Sequence, residues 1–373
     1  MSKDGASLSG PAVEQVVDAA RRDLSAVEER RRLGAETVAA VVAAGFPRHF
    51  VPREYGGAAG GFAELLAASA AVARTCPSTS WCATLFAAHG RLASYLPEEG
   101  RKELWAHSPD AVIAASIMPP QGEAVRDRDG WRIRGRWETA SGVDHADWLL
   151  LASRTGTPDR PEHRIFALPR ADWSVLDTWR SLGVRGTGSN AVEVAEAFVP
   201  DRLSCTLEDV QRPLGGDAAR CHRVPIHLAG ALMFAAPVLG AAEGALDAWR
   251  PAVAARLGAL SPGRRAAAEL ALAEGSAQVT AARLVLERAA ERADRAEVTP
   301  LLVAENRRDA ALAAAWCAAA VDRLFHAAGS QALRADSAFQ RYWRDVTTAA
   351  AHGVLGAEAA AADYAAVVLG PRG

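Results

Sequence analysis

Residues 131–151, WRIRGRWETASGVDHADWLLL, differ in composition and residue pattern from the long stretches on either side of them. They are rich in Trp, Ile and Leu, and glycine and aspartate interrupt them, which is typical of short β-strands. Runs of the same kind are AVIAASIMPP (111–120), HRIFALPR (163–170) and AVEVAEAFVP (191–200). Residues 108–205 therefore predict a central antiparallel β domain of about seven strands.

The flanking sequence is helical in pattern. Val13, Val16, Val17, Ala20 and Leu24 keep the three- and four-residue spacing of a helix face. Alanine-rich helical patterns return after residue 205, with breaks at Ser261-Pro262-Gly263, Thr299-Pro300 and Gly329 that predict four long helices. The fold class predicted is α+β, with an N-terminal α-helical domain (1–107), the β domain (108–205) and a C-terminal four-helix bundle (206–373).

Charge and composition limit the classes of partner. The 373 residues contain 42 basic and 44 acidic side chains, which give a net charge of -2, and half are hydrophobic. This balance excludes a disordered chain and provides no electrostatic footprint for nucleic acid or an anionic membrane. We therefore expect a small-molecule partner or another copy of the chain.

Cysteine usage and the N-terminus favour the cytoplasm. The five cysteines are scattered without a CxxC pair, which is typical of reduced thiols and not of a zinc site. The first ten residues, MSKDGASLSG, contain no apolar core of a signal peptide, and no uninterrupted apolar run approaches 18 residues.

Residues 186–191, GTGSNA, match the GxGxxG/A dinucleotide pattern only superficially. A pyrophosphate loop requires a helix to begin at the third position, so that the helix N-terminus can hold the phosphates. The following AVEVAEAFV alternates as a strand does. A turn before a strand is therefore the favoured interpretation, and no P-loop, HExxH or GxSxG motif is present.

Four places carry candidate site residues. Ser141 and Gly142 follow an aromatic strand, where a small hydroxyl residue beside glycine allows backbone to approach a flat ligand. Trp81 and His89 lie on one drifting helical stripe, which suits either an aromatic pocket or ordinary core packing. Arg223 precedes a helix and could bind an anion, although an ordinary surface arginine explains the sequence equally well.

The fourth place is SAFQRYWRDVTTAAAHGVLG (337–356) in the C-terminal region. Arg341, Asp345, Thr348 and His352 are spaced i, i+4, i+7 and i+11, so they form one polar stripe along a helix. Arg341 and Asp345 can pair. Such a stripe is either a solvated face or one wall of a site, and the spacing alone does not separate the two.

These segments together resemble the acyl-CoA dehydrogenase fold over nearly the whole chain. The closer resemblance is to the flavin-dependent monooxygenases, the oxygenase components of two-component hydroxylases such as those acting on p-hydroxyphenylacetate. The segments that carry it are SWCATLFAAH, IAASIMPPQG, WETASGVDHADWLLLA, LGVRGTGSNAVEVAEAFVP and FHAAGSQALRADSAFQRYWRDVTTAAAH. The last is the most specific, through its QRxxRDxxxxxxH ending.

The resemblance implies a role for each candidate residue. His352 would lie near flavin N5 and assist formation of a C4a-hydroperoxyflavin, and Ser141 and Arg223 would contact the isoalloxazine. Trp81, His89 and Ser116 would line the substrate side, with the last two bonding a phenol hydroxyl. Further cofactor-binding residues implied are Gly142, Arg341 and Asp345.

The function implied is a reduced-flavin-dependent monooxygenase that hydroxylates an aromatic small molecule in natural-product (antibiotic) biosynthesis. It would use reduced FMN or FAD (FMNH2 or FADH2) and molecular oxygen, obtain the flavin from a separate NAD(P)H flavin reductase, and form a cytoplasmic homotetramer. The alternatives are N-oxygenation of an amine or amino sugar, an FAD-dependent acyl-CoA dehydrogenase, and a catalytically silent homologue. The dehydrogenase would need a carboxylate base, for which only Glu358 and Asp363 are available in the C-terminal region.

Overall fold

The computed structural model describes residues 8–157 and 159–370, so the first seven residues of the N-terminal segment discussed above lie outside the described part. The chain divides into two compact units. The first contains the chain up to residue 61 together with 82–180 and 186–226. The second contains 62–81, 181–185 and the chain from 227 onward. Each unit is described separately.

The first unit begins with two helices that are amphipathic in the expected register. Helix α1 buries Val13, Val16 and Ala20 on one face, and α2 buries Val41. The helices are α1 (Gly10–Arg30), α2 (Ala35–Ala43), most of α4 (Pro77–Ala93), α5 (Glu98–Leu104) and α6 (Leu207–Gln211).

Eight strands follow, in two four-stranded sheets. They are β1 (Ile113–Ser116), β2 (Glu123–Asp127), β3 (Gly130–Ala140), β4 (Trp148–Thr157), β5 (Arg160–Pro169), β6 (Ser174–Leu176), β7 (Asn190–Pro200) and β8 (Ser204–Thr206). One sheet has the order β1-β4-β5-β8 and the other β2-β3-β7-β6. In the second sheet Trp137 is fully buried, and its indole N–H donates to the carbonyl of Ala152 at 2.8 Å.

The second unit is built on alanine- and glycine-lined helices that approach one another closely. A Cβ on Gly240 of α7 would overlap the carbonyl of Ala70 in α3, so only glycine permits this spacing. The helices are α3 (Phe62–Ala73), α7 (Ile226–Ala254), α8 (Pro262–Arg295), α9 (Pro300–Ala328), α10 (Ala338–Ala350) and α11 (Ala357–Leu369). Helix α7 is long and apolar enough to cross a membrane, but 83% of its most apolar window is buried inside the structure, as in a core helix.

The α, β, α order predicted from the sequence is confirmed, with differences in detail. There are eight described strands instead of about seven, and β1 pairs with β4 in parallel, from Ile113 opposite Trp148 to Ser116 opposite Leu151. The C-terminal region contains three helices of 29 or more residues and two of 13, instead of four long ones. The segment after GTGS is strand β7, which confirms that no helix begins there.

Candidate functional site

Ser141 and Gly142 lie in a tight turn directly after β3. Gly142 has φ +71°, and a Cβ there would come within 2.6 Å of the Phe86 ring. Its backbone N–H donates to the carbonyl of Thr187 at 2.8 Å. The turn therefore requires glycine, both for its left-handed conformation and for its close approach to the aromatic ring.

The hydroxyl of Ser141 lies in a row of three neighbouring side-chain hydroxyl groups. Its Oγ lies 2.7 Å from Oγ of Ser189, which lies 2.7 Å from Oγ1 of Thr187. Ser189 and Thr187 are buried, whereas Ser141 is half-buried. The partners come from the GTGSNA segment that the sequence analysis set aside as a turn.

His89 is buried beside β1, and Ser116 is the buried last residue of that strand. Each side chain keeps an atom that can accept a hydrogen bond from a ligand. The Ser116 hydroxyl donates to the carbonyl of Glu138 at 2.6 Å, so its lone pairs remain. His89 Nδ1 lies 2.8 Å from the carbonyl of Ile113, which requires the proton on Nδ1 and leaves Nε2 as an acceptor. Burial lowers the pKa of His89 to about 4, which keeps the ring neutral at physiological pH.

Arg223 is exposed, and the segment around it is held by a buried arginine. Arg91 is 1% exposed, and its guanidinium donates to the carbonyls of Cys221 at 2.7 Å and Val224 at 2.5 Å. Burial lowers the pKa of Arg91, because a charge in the interior loses its hydration. The arginine thus replaces water as the donor to two interior carbonyls on either side of Arg223.

In the second unit, His352 and Trp81 lie in one aromatic cluster with Phe234. The imidazole stacks on Phe234 with centroids 4.3 Å apart, and it meets the Trp81 ring edge-on at 5.6 Å. His352 is exposed, but its packing against the two rings removes water from part of the imidazole and lowers the pKa of His352 to about 4. Its Nδ1 accepts the backbone N–H of Val354 at 3.4 Å, which places the proton of the neutral ring on Nε2.

The polar stripe of α10 has a structural contact at Asp345. This buried carboxylate accepts the backbone N–H of Val184 at 2.6 Å, and Arg344 donates to the carbonyl of Leu182 at 2.9 Å. Gly183 lies between Leu182 and Val184, and a Cβ on it would overlap the carbonyl of Arg344. The 181–185 segment therefore lies directly on α10.

Two buried polar atoms of this stripe have no hydrogen-bond partner among the described residues: Nε of Arg341 and Oγ1 of Thr348. Unpaired buried donors are costly, and they indicate a ligand or another group that supplies an acceptor. In the first unit, the half-buried Ser141 hydroxyl beside the Cβ-free Gly142 suits a flat heterocycle. The turn at Ser141 and Gly142 therefore suits the flat ring of a flavin.

The structure groups the predicted residues within each unit and adds others to them. Trp81 contacts His352, and His89 and Ser116 lie at opposite ends of β1. Four of these added residues could not be recognised from the sequence pattern: Ser189, Thr187, Phe234 and Arg91. The GTGS motif could have drawn attention to Thr187 and Ser189. Phe234 and Arg91 lie in helices made largely of apolar residues, and no sequence motif marks them.

The cysteines and other metal-ligating residues do not suggest a metal centre. All five cysteines are buried and reduced, and burial raises the pKa of Cys205 and Cys317 to about 12. Among the described residues, no three His, Cys, Asp or Glu side chains are grouped so that they could hold a metal ion.

Two family models match the chain. Residues 12–106 match the acyl-CoA dehydrogenase N-terminal domain, and residues 232–356 match the acyl-CoA dehydrogenase C-terminal domain. The oxygenase subunit HsaA of a flavin-dependent monooxygenase from Mycobacterium tuberculosis is 29% identical over 91% of this chain and 90% of its own length. A crystal structure of that monooxygenase has a TM-score of 0.89, with 27% identity and 99% coverage of both chains.

Two further relatives concern aromatic hydroxylation and flavin. The oxygenase component of an FADH2-dependent resorcinol hydroxylase from a Rhizobium species is 32% identical over 64% of this chain and 59% of its own length. XiaF from a Streptomyces species, solved in complex with FADH2 and glycerol, has a TM-score of 0.82 and 26% identity, with 97% of this chain and 96% of that chain covered.

Proposed function

Because the chain belongs to the flavin-dependent monooxygenases of the acyl-CoA dehydrogenase fold, the oxygenase components of two-component hydroxylases, we propose that it hydroxylates a small aromatic molecule bearing a hydroxyl group. The reduced flavin would come from a separate NAD(P)H-dependent reductase. The names of the similar proteins as oxygenase subunits and components support this division of labour.

The substrate class is supported by the hydrogen bonds that His89 and Ser116 already donate within the protein. Both have already donated their protons to carbonyls, at 2.8 and 2.6 Å, so both can only accept from a ligand. A phenol hydroxyl supplies the donor that one of these two acceptors requires, and the buried, neutral His89 ring adds no charge that would attract a carboxylate. An ether or a tertiary amine would leave both acceptors unsatisfied.

A bound reduced flavin would supply the electrons that activate dioxygen. The residues of this chain would then hold the ring and exclude water. As the resemblance implies, Ser141 and Arg223 of the first unit would contact the isoalloxazine. Within the second unit, His352 would offer its Nε2 proton beside the apolar rings of Phe234 and Trp81. An apolar wall of this kind would exclude water from a bound flavin, and water and stray protons otherwise divert oxygen chemistry.

The dehydrogenase alternative lacks support at its two candidate bases. Asp363 forms an ion pair with Arg307, and Glu358 is exposed near the start of α11. A carboxylate that abstracts a proton from a thioester substrate must be desolvated and within reach of the substrate. N-oxygenation of a primary or secondary amine stays as the second candidate, because an N–H donor would also satisfy one of these two acceptors.

Other features of the proposal come from the resemblance. They are contacts of Arg341, Asp345 and Gly142 with FMN or FAD, a homotetramer, a cytoplasmic location and a natural-product pathway. The partnerless Nε of Arg341 supports the first of these, whereas the bond of Asp345 to Val184 gives that carboxylate a structural role as well.

The test is single-turnover hydroxylation with isotopically labelled dioxygen. Purified protein, chemically reduced FAD or FMN and a panel of phenols, amines and acyl-CoA thioesters would be mixed and the products identified by mass spectrometry. Label in a new phenolic hydroxyl is the expected result. Label on nitrogen would select the amine alternative, and bleaching of oxidised flavin by a thioester without label would show a dehydrogenase.

A further inference from the structure

Helix α8 of the second unit carries a continuous row of exposed apolar side chains. Leu270 is 58% exposed and Leu284 is 61% exposed, whereas Val279 and Leu286 on the opposite face of the helix are buried. Successive members of the row are three or four residues apart, so they lie within about 80° of one another around the helix axis. Contiguous exposed apolar surface of this kind marks an interaction site. The apolar row of α8 consists of Ala266, Leu270, Ala273, Ala277, Ala281 and Leu284.

The apolar row is symmetric about Ala277. Leu270 and Leu284 lie seven residues before and after this alanine, and Ala273 and Ala281 lie four residues before and after it. If a second α8 packs antiparallel on the first, with a two-fold axis beside Ala277, each leucine meets a leucine. Each of the other two alanines then meets an alanine. The small side chains at the centre allow the two backbones to approach closely, since interaxial distance depends on the residues in contact.

Four charged side chains on one side of the row favour the antiparallel direction. Arg265 pairs with Glu269 at 2.9 Å, and Arg283 pairs with Glu287 at 3.1 Å. In the antiparallel pair, Arg265 lies beside Glu287 of the second copy. Glu269 lies beside Arg283 of the second copy, so charges of opposite sign alternate along the contact. In a parallel pair each of these charges would face its own equivalent, and like charges repel.

We propose that α8 is a contact surface for a second copy of this chain, which packs antiparallel on it about a two-fold axis at Ala277. Such a contact is isologous, because the same surface on each copy forms both halves. The inference rests on the homotetramer of the proposed function and identifies one of its interfaces. It does not depend on the substrate or on the flavin, so its failure would leave the proposed hydroxylation to be tested separately.

The first test is the mass of the protein in solution, measured by analytical ultracentrifugation. Leu270→Glu places a carboxylate in the apolar contact, where it loses its hydration, and we expect the mass to fall to half that of the parent chain. Leu301→Glu is the matched control, because this leucine of α9 is also exposed, at 43%, and lies outside the row. A monomeric parent chain, or a Leu270→Glu variant with the parent mass, would overturn the inference.

The second test is cross-linking, which reports the axis and the direction. Ala277→Cys places two thiols at the two-fold axis, so oxidation should join two chains, whereas all five native cysteines are buried. Ala267→Cys, an exposed position of α8 outside the row, is the control and should stay unlinked. Co-expressed Ala273→Cys and Ala281→Cys chains should link to each other. Linkage of Ala273→Cys chains to themselves would indicate parallel helices and overturn the inference, since antiparallel packing separates those positions by about 12 Å.

Discussion

The imidazole of His352 and the ring of Phe234 lie nearly parallel, with an interplanar angle of 16° and centroids 4.3 Å apart. This stack places a titratable group just beyond the end of α10 against an apolar ring from α7. Because a protonated imidazole loses hydration there, its pKa falls to about 4 and the ring stays neutral at physiological pH.

Replacing His352 should uncouple flavin oxidation from hydroxylation. In His352→Ala, we expect the yield of hydroxylated product per flavin oxidised to fall by at least about tenfold, because general acid–base groups contribute factors of this size or more. Product and hydrogen peroxide would be quantified together. His326→Ala, which removes an exposed histidine of α9, is the control, and an unchanged yield in His352→Ala would show that His352 has no part in the chemistry.

Replacing Phe234 should change the titration of His352. Phe234→Ala admits water to one face of the imidazole, so we expect the pKa of His352 to rise from about 4 towards the ordinary value of 6.5. The histidine Cε1–H resonance, followed by NMR against pH, would report this directly. Phe325→Ala, which removes a different stacked ring, should leave that resonance unaffected; an unmoved pKa in Phe234→Ala would show that the stack is not the cause.

Acid should destabilise the first unit through His89 and His222. Burial lowers the pKa of each to about 4 from the ordinary value of 6.5, so the unfolded chain binds more protons between these two values. The stabilisation is fully present above pH 6.5 and is lost as the pH falls towards 4, by up to about 3 kcal/mol per histidine. Denaturant unfolding from pH 4.5 to 7.5 measures this loss.

Replacement of His89 tests whether this residue contributes to the pH dependence. His89→Gln should flatten the dependence of the unfolding free energy on pH, whereas His326→Gln, at an exposed position, serves as the control. A dependence that is as steep in His89→Gln as in the parent chain would contradict the assignment of His89.

The buried guanidinium of Arg91 should be required for the segment that carries Arg223. Arg91→Met leaves the carbonyls of Cys221 and Val224 without their donor, which should lower the free energy of unfolding by about 2–4 kcal/mol. Limited proteolysis should then cut near residue 223 faster. Arg134→Met removes an exposed arginine of β3 that pairs with Glu123, and it should change little. Equal stability of the two variants would refute this role.

Gly183 should be intolerant of any side chain. Gly183→Ala pushes a methyl group into the carbonyl of Arg344 and should cost about 1–3 kcal/mol, because the bond from Val184 to Asp345 must lengthen. Thermal unfolding would measure the loss. Gly258→Ala is the matched control, since nothing lies within 4 Å of its added Cβ. A melting temperature in Gly183→Ala equal to that of the control would show that the segment yields freely.

Local sequence determined the element order and the kinds of residue at the site. The periodicity of apolar residues distinguishes α1 and α2 from the strands of residues 113–206. Side chains return to the same face at a longer interval in a helix than in a strand. The same local logic showed that GTGSNA precedes a strand and not a helix. The positions of Ser141, His89 and His352 could likewise be singled out, since their surroundings in sequence are short motifs.

Tertiary structure decided which of these residues meet and how they are charged. Ser189 lies 48 residues from Ser141, and Arg91 lies 130 residues from Cys221, so no local period records either contact. The parallel pairing of β1 with β4 is also non-local. Hydrogen-bond polarity and lowered pKa values depend on burial by distant segments, and these properties follow only once the chain has packed.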